Sequence, residues 1–143
     1  MRNLTIRPQI QNFEIDMLEK LFQKPIPPGA GPFLQKYAGL SPYERVYIDK
    51  NGESWGLSQF NLFKDIYGLG EEFMKVGWGK YLAFAYDDGG WHFCICMDDK
   101  DYGAIYINRW TDHLPHEQFL KIADSFEAFI MALQQDPNFP MPV

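Results

Sequence analysis

The sequence predicts an α+β fold in which a mainly antiparallel β-sheet is flanked by N-terminal and C-terminal helices. Three observations predict it: an amphipathic segment near the start, three apolar runs separated by turns rich in Asp and Gly, and an amphipathic segment near the end. Helices grouped at the chain ends are typical of α+β proteins. The length of 143 residues predicts one domain over residues 1–143, which is large enough to fold without a disulfide or a metal.

The first predicted helix covers residues 13–22. Its apolar side chains recur at helical spacing and share one face: Phe13, Met17, Leu18 and Leu21. Asn12 is suited to cap the start, and Pro25 lies beyond the end. We therefore predict an amphipathic helix of about 11 residues.

A second, shorter helix is predicted around Phe33, Leu34 and Tyr37, which share one helix face. The prolines of residues 25–28 predict a turn before it, because proline removes a backbone donor and biases the preceding residue away from the helical conformation. Gly39 stands where a left-handed residue commonly ends a helix.

After Pro42 the pattern changes to that of strands. Residues 46–48 are β-prone, an Asn-Gly turn follows, and residues 55–63 alternate enough to predict another strand. Residues 64–79 are ambiguous because they contain four glycines, and they indicate no more than one helical turn, at residues 71–74.

The clearest β pattern consists of three apolar runs at residues 81–86, 91–97 and 104–110. Turns rich in Asp and Gly join the runs, which predicts an antiparallel meander. The middle run is apolar on both faces, so we predict a central strand that is covered on both sides.

The last predicted helix covers residues 124–133. Asp124 and Glu127 have the spacing of a capping box, with Asp124 as the N-cap. The apolar stripe follows helical spacing: Phe126, Phe129, Ile130 and Leu133. Pro137 and Pro140 are predicted to prevent its extension.

The formal net charge of −6 arises from 13 Lys and Arg residues against 19 Asp and Glu residues. The basic residues are scattered, whereas nucleic-acid binding usually requires a concentrated basic face, so direct nucleic-acid binding is disfavoured. An acidic surface suits a basic protein partner. A moderate net charge also simply keeps a protein soluble, and on charge alone this second interpretation is favoured.

Neither a signal peptide nor a membrane span is predicted. The first eight residues carry charges and a proline where an apolar core would run, and no stretch approaches the ~20 apolar residues of a span. Two cysteines do not make a secreted disulfide framework. The sequence therefore predicts a cytoplasmic protein without membrane contact.

His92, Cys94 and Cys96 alternate along one predicted strand and would project from one face. Such ligands could begin a zinc site, but adjacent positions on that face are ~6.6 Å apart. Core packing is the favoured interpretation, since free cysteine packs as a small hydrophobe, and a disulfide at this spacing would be strained. No metal and no cofactor is predicted.

No catalytic constellation is evident. His113 and His116 lie three residues apart beside a proline, so we predict solvated loop histidines. The aspartates Asp98, Asp99 and Asp101 lack the spacing of an EF-hand calcium loop. The serines have no nucleophile-elbow context, and no spacing selects a pair of carboxylates. We therefore predict that the protein is not an enzyme.

Aromatic and acidic residues flank the same predicted hairpins, which makes them a candidate partner-binding surface, because tryptophan and tyrosine often anchor interfaces. The candidates are Asp87, Asp88, Trp91, Asp98, Asp99, Asp101 and Trp110. The alternative is that the aromatic side chains belong to the core, and for Trp91 the two interpretations have equal weight.

Three motifs follow one another along residues 13–133. A proline-led segment, Ile26-Pro27-Pro28, precedes a short helix at residues 32–39. Residues 81–97 combine strands with a glycine-rich turn, and residues 123–129 match an Ala-x-Ser-Phe-Glu-x-Phe ending. This order resembles the SUKH superfamily, which contains fungal cell-wall-synthesis regulators and many bacterial immunity proteins.

The resemblance implies an α+β fold, no catalytic apparatus and, for a bacterial member, an immunity protein that binds and neutralises a cognate toxin. Many such toxins are nucleases with basic faces, which an acidic protein can block by charge complementarity. One alternative is a regulatory, scaffold or small-ligand-binding module of the same fold. Another is a metal-dependent enzyme that uses His92, Cys94 and Cys96.

Overall fold

The computed structural model describes residues 9–110 and 117–135, and it confirms the α+β fold class. Within these ranges, four α-helices accompany two antiparallel sheets. The helices are α1 Asn12–Phe22, α2 Ala30–Tyr37, α3 Phe63–Lys75 and α4 Phe126–Met131. The strands are β1 Glu44–Ile48, β2 Ser54–Gly56, β3 Gln59–Phe60, β4 Tyr81–Tyr86, β5 His92–Cys96, β6 Ile105–Asn108, β7 Phe119–Ala123 and β8 Gln134–Gln135.

The larger sheet has five strands in the order β3-β4-β5-β6-β7, and each neighbouring pair is antiparallel. Strands β4, β5 and β6 are the predicted meander, with β5 at the centre. His92 pairs with Asn108, and Phe93 pairs with Ile107. The smaller sheet has the order β2-β1-β8.

The two faces of the larger sheet carry two separate apolar clusters. Phe93 and Ile95 belong to the main core, which also takes side chains from α1, α2 and α4. Cys94 and Cys96 alternate with them and lie in a smaller cluster on the opposite face. That cluster contains buried Phe73 and partly buried rings: Trp78, Tyr106, Trp110 and Phe119. Strand β5 is therefore covered on both faces, as predicted.

The predicted start of α1 is wrong by one residue. The N-cap is Gln11, whose backbone N–H donates to the Glu14 carboxylate at 2.9 Å. The Asn12 side chain instead accepts a hydrogen bond from Gln35 Nε2 at 2.7 Å. Asn12 therefore ties α1 to α2 rather than capping its own helix.

The predicted capping of α4 is also displaced by one residue. Ser125 is the N-cap, and its hydroxyl accepts the Ala128 N–H at 3.1 Å. Asp124 lies just before the cap with an almost fully exposed side chain that contacts Lys121. The helix ends at Met131, and buried Leu133 follows it outside the helix.

Helix α2 begins at Ala30, directly after Gly29, and ends at Tyr37, so it lies two residues earlier than the predicted helix at residues 32–39. Gly29 has a φ of +87°, a conformation that suits glycine. The predicted left-handed residue at Gly39 is confirmed by its φ of +82°. A Cβ at Gly39 would lie 2.8 Å from Cδ2 of Leu62, which is the end of a flexible and partly exposed side chain, so the positive φ is the main reason for glycine there.

The predictions for residues 55–79 are largely wrong. The predicted strand at residues 55–63 is broken into β2 and β3, and the ambiguous stretch forms α3 over thirteen residues. Its buried residues Ile66, Gly70 and Phe73 follow helical spacing, but the glycines lowered its apparent helix propensity. Strands β7 and β8 were not predicted.

Two glycines of α3 give a matched pair of predictions. A Cβ at Gly70 would lie 2.8 Å from the ring of buried Phe22 and 3.2 Å from Leu21, so Gly70→Ala is expected to destabilise the protein by about 1–3 kcal/mol through overpacking. Gly68 has no atom within 4 Å of the same position, so Gly68→Ala is expected to stabilise it by about 1 kcal/mol. Urea unfolding of both variants measures the difference, and equal shifts would contradict the close packing of α1 on α3.

Candidate functional site

The seven residues predicted to form a partner-binding surface are divided between opposite ends of the larger sheet. Successive turns of an antiparallel meander lie at opposite ends of the shared strand. The turn before β5 carries Asp87 and Asp88, and the turn after it carries Asp98, Asp99 and Asp101. Five strand residues separate the turns, which corresponds to about 17 Å along β5. The structure therefore does not bring the acidic residues together.

At the first end, Asp87 organises its own turn. Its carboxylate accepts the backbone N–H groups of Gly89 at 2.9 Å and Trp91 at 2.8 Å. The side chain of Asp88 is exposed. Trp91 is half-buried and packs against the main core, so of the two interpretations of Trp91 the geometry supports core packing.

Trp110 reaches the same end of the sheet from β6, but it lies on the opposite face from Trp91. Its indole Nε1 donates to the Gly90 carbonyl oxygen at 2.8 Å. Its ring lies 5.7 Å from the Phe73 ring and 5.6 Å from the His92 ring, measured between centroids. Trp110 is therefore part of the smaller aromatic cluster.

At the second end, the acidic side chains have partners within the chain. Asp98 accepts the Lys80 backbone N–H at 3.0 Å. Asp99 contacts the Lys24 ammonium group, although its side chain remains 92% exposed. Asp101 is the most extensively bonded of the three residues. It accepts the Tyr106 hydroxyl at 2.7 Å and lies 3.1 Å from Lys121 Nζ.

The bonding of Asp101 predicts a pH-dependent contribution to stability. The Tyr106 hydroxyl, and after it Lys121, holds the pKa of the Asp101 carboxyl below its ordinary value of 3.8. A pKa that is depressed in the folded state gives a contribution that is present above the unfolded pKa and is lost as the pH falls through the folded pKa. Asp101→Asn is therefore expected to be less stable than wild type at neutral pH, and the difference is expected to vanish in acid.

Urea unfolding of Asp101→Asn and wild type between pH 7 and pH 2 tests this prediction. Tyr106→Phe is the matched variant, because it removes the largest cause of the depressed pKa while keeping the carboxyl. In Tyr106→Phe, the free energy of unfolding should depend less on pH over the same acidic range. A stability difference that stays constant across the range would contradict the prediction.

His92, Cys94 and Cys96 share one face of β5, as predicted, but the thiols are buried. Burial raises the pKa of both thiols, most strongly that of Cys94. Burial lowers the pKa of His92, whose Nδ1 lies 3.3 Å from Asn61 Nδ2. Since an amide nitrogen can only donate, this His92 nitrogen is the acceptor, which fits a neutral imidazole.

Within residues 9–110 and 117–135, no group of three His, Cys, Asp or Glu side chains is placed to hold a metal ion. His113 and His116 lie outside the described residues. No helix in the described part of the chain is long and apolar enough to cross a membrane.

Helix α4 is flanked by two concave surfaces that sequence reasoning missed. We call the first the α4 groove: an apolar depression of about 340 Å³ lined by Pro28, Gly29, Phe33, Phe126, Glu127, Ile130 and Met131. Met131, at 78% exposure, is the most exposed large apolar side chain among the described residues. The sequence signal for this surface is that Met131 lies off the apolar stripe of α4.

The second concave surface is polar and measures about 240 Å³. It lies between the β1–β2 hairpin and the segment that joins β7 to α4, and it is lined by Tyr47, Asp49, Lys50, Asn51, Lys121, Ile122, Ala123, Asp124 and Ala128. Most of the charged side chains of this surface form hydrogen bonds or ion pairs within the chain. The Asp49 carboxylate accepts the Trp55 indole N–H at 3.0 Å, and Lys121 Nζ lies 3.4 Å from Asp124.

No curated protein matched the chain. The family model SUKH_6, described as SMI1-KNR4 cell-wall, matches residues 12–130. This match runs from the first residue of α1 almost to the end of α4, and it therefore includes both sheets except β8. The chain belongs to the SMI1-KNR4 family of the SUKH superfamily.

Proposed function

We propose that this protein is a non-catalytic, protein-binding domain that acts as an immunity protein in the cytoplasm, and that it neutralises a basic toxin, such as a nuclease, by occluding its active cleft. The observation that carries the proposal is membership of the SMI1-KNR4 family in a chain with a formal net charge of −6. Immunity proteins are among the members of the superfamily, and an acidic member suits a basic target.

Occlusion requires a rigid surface of complementary charge and no reactive group. Complementary potentials accelerate encounter and disfavour acidic competitors. Exposed carboxylates lie on several sides of the fold, among them those of Asp88, Asp99 and Asp124. The two clusters of packed aromatic rings fix the strands and helices next to these carboxylates. Little conformational entropy is therefore lost when a partner binds.

Protection of cells tests this function directly. The product of the open reading frame adjacent to that of this chain would be expressed in a host with and without the protein. We expect the neighbour alone to stop growth and co-expression to restore it. Growth arrest that persists despite folded, abundant protein would contradict the proposal.

Isosteric variants test the role of charge in that assay. The triple variant Asp88→Asn, Asp99→Asn and Asp124→Asn removes three negative charges from side chains that lie at the surface. We expect slower association with the toxin at low salt and a smaller difference at high salt, because screening weakens steering. Association rates from stopped-flow fluorescence measure the effect, and rates independent of both charge and salt would contradict electrostatic steering.

A small-ligand-binding module of the same fold is the second candidate function. One observation favours it: the α4 groove places the aromatic rings of Phe33 and Phe126 beside the single carboxylate of Glu127. The groove lies at the lower end of the ~300–1,000 Å³ range of small-molecule sites. Protection that persists after the groove is blocked by Met131→Trp, in a variant that stays folded, would separate such a ligand site from toxin binding.

A further inference from the structure

We propose that the α4 groove is the docking surface for the protein partner, and that it receives an apolar side chain flanked by lysine or arginine. The inference deepens the proposed function, since it rests on the partner being a basic protein. It assigns the contact to α4 and the segment before α2, rather than to the acidic turns of the meander.

The floor of the groove is apolar and firmly held. The Phe33 and Phe126 rings meet edge to face with centroids 5.3 Å apart. Phe126 in turn meets the fully buried Phe84 at 5.1 Å. Because these rings continue into the main core, the floor is formed before any partner arrives, which lowers the ordering cost of binding.

The rim of the groove combines an apolar and a charged side chain. Glu127 and Met131 are four positions apart on α4, so they lie on one face of the helix. Both are exposed. The flexible thioether of methionine adapts to an inserted side chain, while the carboxylate attracts a neighbouring cation.

Helix α4 itself is anchored at its start and on its buried face. Ser125 caps its first turn. Phe129 packs against Tyr47 with centroids 4.7 Å apart and against Phe93 at 5.5 Å. The exposed residues of α4 therefore stand on a fixed element, as an interface anchor requires.

Charge selects a basic partner over a second copy of this chain. Glu127 is the charged residue among the described side chains that line the groove, and its side chain is exposed. Two copies would each carry a formal charge of −6 and would bring like charges together, which disfavours that pairing.

The test is chemical-shift mapping on the full-length ¹⁵N-labelled chain. The probe is a short synthetic peptide in which a leucine is flanked by lysines. We expect the largest shifts at the backbone amides that line the groove. Two matched peptides should leave these amides nearly unshifted: one with serine in place of leucine, and one with glutamates in place of the lysines. Largest shifts at Asp88 or Asp99, or equal shifts with the serine peptide, would contradict the proposal.

Variants give the quantitative arm of the test. We expect Met131→Ser and Glu127→Lys each to weaken peptide binding by about tenfold or more. Phe13→Ser is the matched control for the apolar change, because Phe13 is 63% exposed on α1. Glu71→Lys is the control for the charge change, because Glu71 is exposed on α3. Both controls should bind within about twofold of wild type, and loss of binding in either would overturn the assignment.

Other occupants of the groove appear as distinct outcomes. If gel filtration with light scattering showed a dimer, and the peptide dissociated that dimer, the groove would be assigned to a second copy of this chain. If the peptide moved the NMR signals of residues 136–143 to the positions expected for an unbound segment, the groove would be assigned to that segment. Either result would overturn the proposal.

The failure of this inference is distinguishable from failure of the proposed function. If Met131→Ser and Glu127→Lys still protect cells and bind the toxin normally, the function stands and the docking surface is wrong. If the peptide maps to the groove but the protein neutralises no toxin, the surface stands and the immunity function is wrong.

Discussion

Phe84→Ala is expected to lower the free energy of unfolding by about 3–5 kcal/mol, the range for deleting a fully buried ring. Phe84 has no exposed surface and meets Phe126 at 5.1 Å and Phe129 at 5.7 Å, between ring centroids. It therefore joins β4 to the buried face of α4, and its loss leaves a cavity between them. Urea unfolding, with an unchanged slope, measures the loss as a lower midpoint.

Phe13→Ala is the matched control for this prediction. It removes the same ring from a site that is 63% exposed on α1, so the change in free energy is expected to stay within about 0.5 kcal/mol. Losses of similar size in the two variants would contradict the position of Phe84 in the main core.

Asn108→Leu is expected to raise the free energy of unfolding by about 1–3 kcal/mol. Asn108 has no exposed surface, and among the described residues neither its Nδ2 nor its Oδ1 has a hydrogen-bond partner. A buried polar group without a partner loses its hydration and gains nothing in return. Leucine has a similar shape and faces the aromatic cluster without that cost. Differential scanning calorimetry and urea unfolding both report the increase.

Asn61→Leu is the matched control, because Asn61 is also buried but has partners. Its amide donates to the Ala83 carbonyl oxygen at 2.9 Å and approaches His92 Nδ1 at 3.3 Å. Its replacement is expected to destabilise the protein by about 1–3 kcal/mol. If both variants lose stability equally, the amide of Asn108 is bonded in solution and the account of this site is wrong.

Much of the fold could be predicted from local pattern. The three strands of the meander alternate with turns rich in Asp and Gly, so their existence and their pairing were predicted correctly, although β6 is shorter than the predicted run at residues 104–110. Helix α3 was not predicted because Gly68 and Gly70 lower the helix propensity of a segment whose buried residues have helical spacing. The reason for Gly70 is tertiary, since its missing side chain admits Phe22. The cap of α4 was misplaced because Asp124 and Ser125 are adjacent and both are good caps.

The site was harder to predict than the fold. The acidic residues of the meander looked like one surface because they flank the same hairpins, but successive turns lie at opposite ends of β5. The sequence also did not show which carboxylates are used in local hydrogen bonds. The Asp87 carboxylate, for example, accepts two backbone N–H groups of its own turn. The α4 groove joins residues 28–33 to residues 126–131, which are distant in sequence. Of the features of this groove, the sequence indicated only that Met131 lies on the polar face of α4.

The most direct test of the central claim, that this chain works by binding a basic protein, is isothermal titration of the purified chain with the purified product of the adjacent open reading frame at increasing salt. We predict a stoichiometric complex whose affinity falls as salt rises, and in which the partner is inactive. The absence of a complex at low salt, with both proteins folded, would contradict the account.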